Sequence, residues 1–328
     1  METLSLAAVL KASADPIRLD ILRLLKRDSL AASELAKLLD IKQSALSHHL
    51  KVMTQAQWLN TRREGNTLFY RRQLSADLSI ARVQQAVLGS IDSAALETSL
   101  LTELTRIRLE RQAISAAFFE SHAHELDSVT DRIAGYKHYA DALHQALSSL
   151  NVTRCHQALE IGPGDGGFLP YLSERFEQVY ALDIAEPMLE LARSQVKALD
   201  NIEFIHGDTH VAIEKGIKAD FVALNMVLHH VPSPAELLAE CWQLLNDEGR
   251  LLVTDLCAHE QNWVREACGD FWMGFDTDEL LNWAAASGFE ASEPILLGLK
   301  NGFQVQIHVF KKQQPKSAPA LDNAATHN

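Results

Sequence analysis

From about residue 157 to residue 310, short apolar segments typical of strands alternate with segments of helical periodicity. This alternation predicts a parallel sheet covered on both faces by helices. The last two strand segments, PILLGL and FQVQIHVF, are joined only by LKNGF, which is too short for a crossover helix. The final strand is therefore expected to run antiparallel to its neighbours. The pattern predicts a Rossmann-like α/β domain with an antiparallel last strand.

A glycine-rich turn, EIGPGDGG, follows the first strand of this region at residues 160–167. Glycines at Gly162, Gly164 and Gly166 let the backbone approach a ligand at the carboxyl end of the sheet, near a helix N-terminus. The turn alone leaves two kinds of ligand open. Gly162, Gly164 and Gly167 also satisfy the G-x-G-x-x-G pattern of nicotinamide dinucleotide sites.

Three carboxylates narrow the choice of ligand. Glu160 lies two residues before the first glycine, where it would repel a pyrophosphate but attract a cationic amino-acid group. Asp183 closes the second strand, where it could accept hydrogen bonds from both ribose hydroxyls, an interaction that NAD would also use. Asp208 follows the third strand and could accept a hydrogen bond from an adenine amino group. S-adenosylmethionine, or its product S-adenosylhomocysteine, has all three features.

The region resembles class I S-adenosylmethionine-dependent methyltransferases over roughly residues 115–311, including the terminal antiparallel strand typical of that fold. His229 and His230 follow the fourth strand and are candidates for a base in methyl transfer, although purely structural roles fit the sequence equally well. The resemblance implies Glu160, Gly162, Gly164 and Gly166 around the methionine part, Asp183 on the ribose, Ile184 and Met188 near the adenine, and Asp208 with Thr209 at the adenine edge.

Charge is distributed unevenly along the chain. The net charge is −13, but residues 1–72 contain 12 Lys and Arg against 7 Asp and Glu. Contact with phosphates depends on local rather than total charge. We therefore expect a polyanion-binding module in front of an acidic body.

The basic segment has the pattern of a helix-turn-helix followed by a hairpin. Asp15 and Pro16 are typical of a helix start and predict a helix to about Arg27, followed by the helical segments ASELAKLLD and QSALSHHLKVMTQA. The segment WLNTRREGNTLFYRR alternates apolar and polar residues around Gly65 and predicts a hairpin, or wing. The residues predicted to contact DNA are Gln43, Ser44, Ser47, His48 and Lys51 in the third helix, with Ala45, Leu46, Leu50 and Met53 on its buried side, and Arg62, Arg63, Arg71 and Arg72 in the wing.

About 60 residues of this segment resemble the winged-helix domain of ArsR-type regulators, chiefly through S-x-L-S-H-H-L and R-R-E-G-x-x-x-x-Y. The resemblance implies a homodimer, paired through helices near residues 4–12 and 78–88, that reads a palindromic operator in double-stranded DNA. Metal-sensing members carry Cys, His or acidic ligands in segments that here read ASELAKLLD and SADLSIARVQQAVL, without Cys or His. The pairs His122 with His124 and His229 with His230 lack a third ligand at recognisable spacing, so no metal site is predicted.

The expected domains are a winged helix at 1–90, a helical connector at 91–114, a methyltransferase-like domain at 115–311 and a disordered tail at 312–328. The connector is predicted to be an amphipathic helix that serves as a lever or as a passive spacer. No apolar run reaches the roughly 20 residues needed to cross a bilayer, and the N-terminus lacks the pattern of a secretory signal. A cytoplasmic protein without a membrane partner is expected.

Together these resemblances imply a dimeric transcriptional regulator whose effector is S-adenosylmethionine or S-adenosylhomocysteine. It is similar to S-adenosylhomocysteine-responsive regulators of methionine and methyl-cycle genes. One alternative is an active small-molecule methyltransferase with an attached DNA-binding domain. Another is a repressor whose decayed methyltransferase fold serves only dimerisation.

Overall fold

The computed structural model describes residues 5–148, 155–261 and 263–313. Its helices are α1 (Leu6–Ser13), α2 (Pro16–Leu24), α3 (Ala32–Leu38), α4 (Gln43–Gln55), α5 (Leu78–Asp92), α6 (Thr98–Ile133), α7 (Ala140–Ser148), α8 (Leu169–Ser173), α9 (Glu186–Gln195), α10 (Thr209–Glu214), α11 (Pro234–Leu244), α12 (Trp263–Cys268) and α13 (Thr277–Ala286). Its strands are β1 (Leu30–Ala31), β2 (Leu59–Glu64), β3 (Thr67–Arg72), β4 (Cys155–Ile161), β5 (Phe176–Asp183), β6 (Ile202–His206), β7 (Ala219–Asn225), β8 (Leu245–Leu256), β9 (Phe289–Ala291), β10 (Ile295–Gly298) and β11 (Gln304–Lys312).

The amino-terminal domain is a winged helix, as predicted. Asp15 caps α2 by accepting a hydrogen bond from the backbone N–H of Arg18, and Pro16 is the first helical residue. The helix ends at Leu24 rather than near Arg27. A three-stranded sheet in the order β1-β3-β2 follows, and β2 and β3 form the wing, with Gly65 in its turn at a φ of 57°.

One residue of the recognition helix α4 was placed wrongly by the sequence. Ala45 was expected on the buried side but is exposed, whereas Leu46, Leu50 and Met53 are fully buried. Positions 46, 50 and 53 are four and three residues apart and lie on one stripe of the helix, whereas position 45 is one residue away from it. The domain core therefore packs against a narrower face of α4 than expected.

The carboxyl-terminal domain is a doubly wound sheet with the strand order β10-β11-β8-β7-β4-β5-β6. Strands β4 to β8 pair in parallel, and β11 runs antiparallel to both β8 and β10. The prediction of an antiparallel last strand is thus confirmed. The short strand β9, which pairs with β11, was not predicted. The parallel strands are buried on both faces because helices cover both sides of the sheet.

Helix α6 joins the two domains. Its 36 residues contain neither Pro nor Gly and continue without a break through position 114, where the sequence analysis placed the end of the connector. The connector and the first helix of the methyltransferase-like domain are therefore one element. At the other end of the domain, Lys312 was assigned to the tail but is the buried last residue of β11. Residues 314–328 of the predicted tail lie outside the described residues.

None of the helices in the described ranges combines the length and the apolar composition required to cross a bilayer.

Candidate functional site

A cavity of about 630 Å³ opens at the carboxyl ends of β4, β5, β6 and β7. This is the edge at which open α/β sheets bind their ligands. Its wall includes side chains of the glycine-rich turn, of the loops after β5, β6 and β7, and of helix α6. The sequence-predicted residues that line it are Glu160, Gly162, Gly164, Asp183, Ile184, Met188, Asp208, Thr209, His229 and His230.

The glycine-rich turn requires glycine for two different reasons. At Gly162, φ is 67° and an added Cβ would lie 2.6 Å from a side-chain carbon of Val227, so any larger residue would disturb the cavity wall. At Gly166, φ is 84° and an added Cβ would lie 3.1 Å from the Cα of Ala192 in α9. Gly166 therefore packs against α9, whereas Gly167 lines the cavity, and contact of Gly166 with a ligand stays a prediction.

Glu160 is a buried carboxyl group with no cationic partner among the residues that the structure describes. One of its oxygens accepts a hydrogen bond from the side-chain amide of Asn225 at 3.1 Å, and the other has no hydrogen-bond partner among the described residues. Burial raises the pKa of Glu160 to about 8, although the Asn225 hydrogen bond opposes this shift. An unpartnered buried carboxyl group in a cavity wall suits a cationic ligand group.

Asp183 and Asp208 close β5 and β6 at the same cavity. Asp183 accepts a hydrogen bond from the backbone N–H of Ala185 at 2.9 Å, and burial raises its pKa to about 6. Asp208 caps α10, where one of its oxygens accepts from the backbone N–H of His210 at 3.0 Å. Its other oxygen accepts a hydrogen bond from the side chain of Gln112 at 3.3 Å.

Besides Asp208, the three other residues predicted on the adenine side differ in their surroundings. Ile184 and Met188 line the cavity and offer it apolar surface. Thr209 is buried, and its hydroxyl donates to Glu240 at 2.6 Å. The Thr209 hydroxyl is therefore already used within the protein.

The two candidate bases have opposite protonation behaviour. Burial alone would lower the pKa of His229, but the carboxylates of Asp255 and Asp270 outweigh it and raise the pKa to about 9. Burial, together with the charge of His229, holds the pKa of His230 well below its usual value. A protonated imidazole cannot accept a proton, so only His230 has the protonation state of a base near neutral pH.

Helix α6 contributes five cavity residues that the sequence did not identify: Arg108, Gln112, Ser115, Phe119 and Ile133. Gln112 contacts Asp208, which is 96 positions away in the chain. The Ser115 hydroxyl lies 3.3 Å from the backbone oxygen of His230, and Phe119 packs edge-on against the His230 ring. The helical period of this segment predicted a helix, but nothing in it indicated a cavity wall.

The face of α4 predicted to read DNA is intact. Its five predicted residues, Gln43, Ser44, Ser47, His48 and Lys51, are all exposed. His49 lies instead beside Asp15, with its Nδ1 3.7 Å from a carboxylate oxygen, and is mostly covered. The adjacent histidines therefore divide into one on the face predicted to contact DNA and one that packs within the domain.

The predicted wing arginines do not share one environment. Arg63 is exposed, whereas Arg62 donates to the backbone oxygen of Gly274 at 2.5 Å and lies over the ring of Trp272. Arg71 forms an ion pair with Glu279 of α13. Arg72 pairs with both carboxylate oxygens of Asp92, at 2.9 and 2.7 Å, within its own domain. Contact of Arg62 with DNA stays a prediction that requires this interface to open.

Residues 159–253 match the family described as "Methyltransferase domain", and residues 14–57 match the family described as "Helix-turn-helix domain". An uncharacterized methyltransferase of Mycobacterium tuberculosis is 32% identical over 140 residues, which are 40% of this chain and 68% of that protein. An uncharacterized 37.1 kDa protein in a transposon of Streptomyces fradiae is 30% identical over 161 residues, 47% of each chain. The chain spans about half the length, or less, of the first curated relatives it matches.

Among solved structures, the N-methyltransferase NodS from Bradyrhizobium japonicum, in complex with S-adenosyl-L-homocysteine, aligns with a TM-score of 0.49 and 13% identity. The alignment covers 61% of this chain and 99% of that protein.

Proposed function

Because the chain belongs to the methyltransferase family over its carboxyl-terminal domain and carries a helix-turn-helix domain in front of it, we propose that the protein is a transcriptional regulator with a nucleoside effector. The effector is S-adenosylmethionine or S-adenosylhomocysteine, and its binding changes the affinity of the winged helix for operator DNA. The observation that carries this proposal is that helix α6 lines the ligand cavity and also holds the DNA-binding domain.

The residues at the cavity fit such a nucleoside group by group. Glu160 would pair with the cationic amino group, because its free oxygen is buried without a partner in the described part of the chain. Asp183 would accept hydrogen bonds from the ribose hydroxyls. Asp208 would accept from the adenine amino group in place of Gln112, which currently donates to it. As an effector, the nucleoside supplies binding free energy, and as a methyl donor it supplies an electrophilic methyl group.

Two arginines of α6 attach the DNA-binding domain to this cavity. Arg108 donates to both oxygens of Asp28, at 3.0 and 2.6 Å, and Ser233 beside the cavity donates to the same carboxylate at 2.5 Å. Arg111 pairs with Glu34, whose carboxylate also accepts from the backbone N–H of Ala31 at the start of α3. Helix α3 directly precedes the recognition helix α4. A shift of α6 would therefore move α3 and α4 together.

A second connection runs through the loop of residues 269–276. Asp270 of this loop lines the cavity, and the next two residues, Phe271 and Trp272, pack against Phe69 of the wing. Gly274 of the same loop accepts the hydrogen bond from Arg62. A ligand that changes the loop can therefore change the position of the wing, provided that it binds one arrangement more tightly than the other.

We propose that the DNA-binding form is a homodimer. Apolar side chains are exposed on the two helices expected to pair, with Leu6 47% and Leu10 44% exposed in α1 and Leu78 77% exposed at the start of α5. Exposed apolar side chains on the two helices that the resemblance pairs support a dimer contact there. A two-fold dimer would present two recognition helices to a palindromic operator.

The decisive experiment measures operator affinity with and without each nucleoside at fixed salt. Operator DNA is first selected from a random-sequence library with the full-length protein, and binding is followed by fluorescence anisotropy. We expect calorimetry to show binding of at least one of the two nucleosides. A saturating concentration of that nucleoside should change operator affinity by 5- to 150-fold, the usual range of allosteric coupling. Asp183→Ala should abolish nucleoside binding and the response together. Nucleoside binding without any change in operator affinity would reject the effector role.

The second candidate function is a small-molecule methyltransferase that also regulates transcription. The specific observation in its favour is His230, a neutral imidazole at the cavity beside Phe119. Such a group could take a proton from an acceptor as the methyl group is transferred. Turnover of labelled methyl donor with candidate metabolites, lost in His230→Ala, would support this function. If no methyl transfer is detected but the nucleoside still changes operator affinity, the enzyme function is rejected and the regulator function stands.

A further inference from the structure

Three titratable side chains converge at one end of the cavity. His229 and His230 lie in the turn after β7, and Asp270 lies in the loop after α12. The Nε2 atom of His229 is 3.9 Å, and the Nδ1 atom of His230 3.7 Å, from the same Asp270 oxygen. The two segments are fixed to each other, because the backbone N–H groups of Phe271 and Trp272 both donate to the His229 backbone oxygen, at 2.8 and 2.9 Å.

The polar atoms of this cluster are largely unsatisfied. Asp270 is only 3% exposed, and among the described residues neither of its carboxylate oxygens has a hydrogen-bond partner. The Nδ1 atom of His230 also lacks a partner in the described part of the chain. His229 uses its Nδ1 atom in a 2.9 Å hydrogen bond with Asp255, which leaves its Nε2 atom directed at Asp270. Unpartnered polar atoms in a buried place are costly unless a ligand satisfies them.

We propose that His229, His230 and Asp270 bind one divalent transition-metal ion of the zinc class at the cavity wall. Once the ion displaces the proton that His229 carries on Nε2, two imidazole nitrogens and one carboxylate oxygen form a donor set that such ions prefer. Their three ligand atoms lie within 4.8 Å of one another. The Asp255 hydrogen bond to His229 supplies the outer partner that orients metal-binding histidines. Because the three residues line the cavity, a coordination position remains open towards it.

The sequence could not indicate this site, because its third ligand follows the second by 40 positions and belongs to no recognisable spacing. The metal site does not depend on the effector role proposed above. It can be tested with metal alone, before any nucleoside is added.

The test uses the full chain after treatment with a chelator, titrated with Zn²⁺ in competition with a chromophoric chelator and, separately, with Co²⁺ followed by visible absorption. We expect one tightly bound ion per chain, and at least tenfold weaker binding in His230→Ala and in Asp270→Asn. His210→Ala is the matched control, since His210 lines the same cavity but its side chain is 70% exposed and lies outside the cluster. The control should bind zinc as the wild type does.

Two results would overturn the proposal. One is a wild-type chain that binds no stoichiometric metal, and the other is His230→Ala with unchanged zinc affinity and an unchanged Co²⁺ spectrum. Thermal unfolding shows whether each variant is folded, and if Asp270→Asn is not, the less buried His230→Ala decides. Nucleoside titration of the metal-free wild type then reports on the effector role independently.

Discussion

The exposed face of α4 and the wing are both DNA-facing surfaces of winged helices, but in this molecule the methyltransferase domain covers only one of them. On α4, His48 and Lys51 remain exposed. On the wing, Arg62 and Phe69 pack against residues 271–275 of the other domain. We therefore expect the recognition helix to read DNA whether or not a ligand is bound, and the position of the wing to depend on the domain that contains the cavity. The predictions below test this difference.

The largest effect is expected where helix α6 holds the DNA-binding domain. The Arg111 side chain is only 7% exposed and pairs with Glu34, so Arg111→Met leaves a largely buried carboxylate without its partner. We expect a loss of about 3 kcal/mol in the free energy of unfolding, the lower end for breaking a buried ion pair, because Glu34 keeps some access to water. Urea-induced unfolding measures this loss.

The same variant should weaken the response of operator affinity to the nucleoside, because Arg111 is one of the two α6 arginines that pair with carboxylates of the DNA-binding domain. Arg106→Met is the matched control, since Arg106 lies on the same helix, is 38% exposed and, among the ion pairs described, pairs only within that helix, with Glu103 and Glu110. It should leave both stability and response nearly unchanged. Equal behaviour of the two variants would contradict an anchoring role for Arg111.

The next prediction compares neighbouring arginines of the wing. Arg63→Ala should weaken operator binding by a similar factor with and without nucleoside and reduce the salt dependence by about one phosphate contact. Arg62→Ala should instead bring the ratio of operator affinities with and without nucleoside closer to one. It leaves no carboxylate unpaired, because Glu64 keeps Arg265 and Glu279 keeps Arg71.

His48→Ala in the recognition helix supplies the reference for this comparison. We expect it to cost about 1–3 kcal/mol of operator binding in both ligand states, as for the loss of a base contact. Anisotropy titrations of the three variants under the same salt conditions give all the ratios. If Arg62→Ala and Arg63→Ala behave alike, the wing is not the part that responds to the ligand.

A smaller effect concerns the pH dependence of ligand binding. Burial raises the pKa of Glu160 to about 8, so below that pH its carboxyl group is mostly protonated in the ligand-free protein. A cationic amino group favours the ionised form, so binding releases a proton, and affinity should rise by up to about tenfold per pH unit until about pH 8. Glu160→Gln cannot ionise and should bind more weakly, without this slope. Calorimetry in buffers of different ionisation enthalpy counts the protons.

In the absence of nucleoside, operator affinity should not follow the titration of Glu160. Glu160 lies in the wall of the cavity and not on the exposed face of α4. If nucleoside affinity depends on pH equally in the wild type and in Glu160→Gln, Glu160 does not pair with the cationic group of the ligand.

Much of the fold and of the ligand site could be predicted because the signals are local. The alternation of strands and helices, the glycine-rich turn and the carboxylates Glu160, Asp183 and Asp208 each stand in a short segment whose backbone geometry fixes where the side chain goes. Even the division between Arg62 and Arg63 follows in part, since successive residues of a strand face opposite sides.

The residues that pack against each face of the wing strand, or against a face of α6, could not be predicted. Arg62 meets Glu279, which is 217 positions away, and Gln112 meets Asp208, which is 96 positions away. Such contacts depend on how two independently patterned domains pack, and neither sequence pattern carries that information. The role of α6 as a cavity wall was missed for the same reason.

The smallest predicted effect is at Gln112. Its hydrogen bond to Asp208 is 3.3 Å long, and a nucleoside whose adenine uses Asp208 would have to replace it. Gln112→Ala removes this competition, so nucleoside affinity should rise by about 1 kcal/mol or less, the net contribution of one hydrogen bond. The response of operator affinity should fall, because α6 loses one contact that distinguishes the bound from the free state.

Thr105→Ala is the control for Gln112→Ala, because Thr105 lies on the same helix and its hydroxyl donates only to the Leu101 backbone oxygen, at 2.8 Å, among the hydrogen bonds described. Calorimetry and anisotropy together distinguish three cases. Tighter binding with a weaker response supports the exchange at Asp208. Weaker binding would make Gln112 a direct contact of the ligand, and tighter binding with a full response would assign the coupling to the loop of residues 269–276, because that loop reaches the wing without passing through α6.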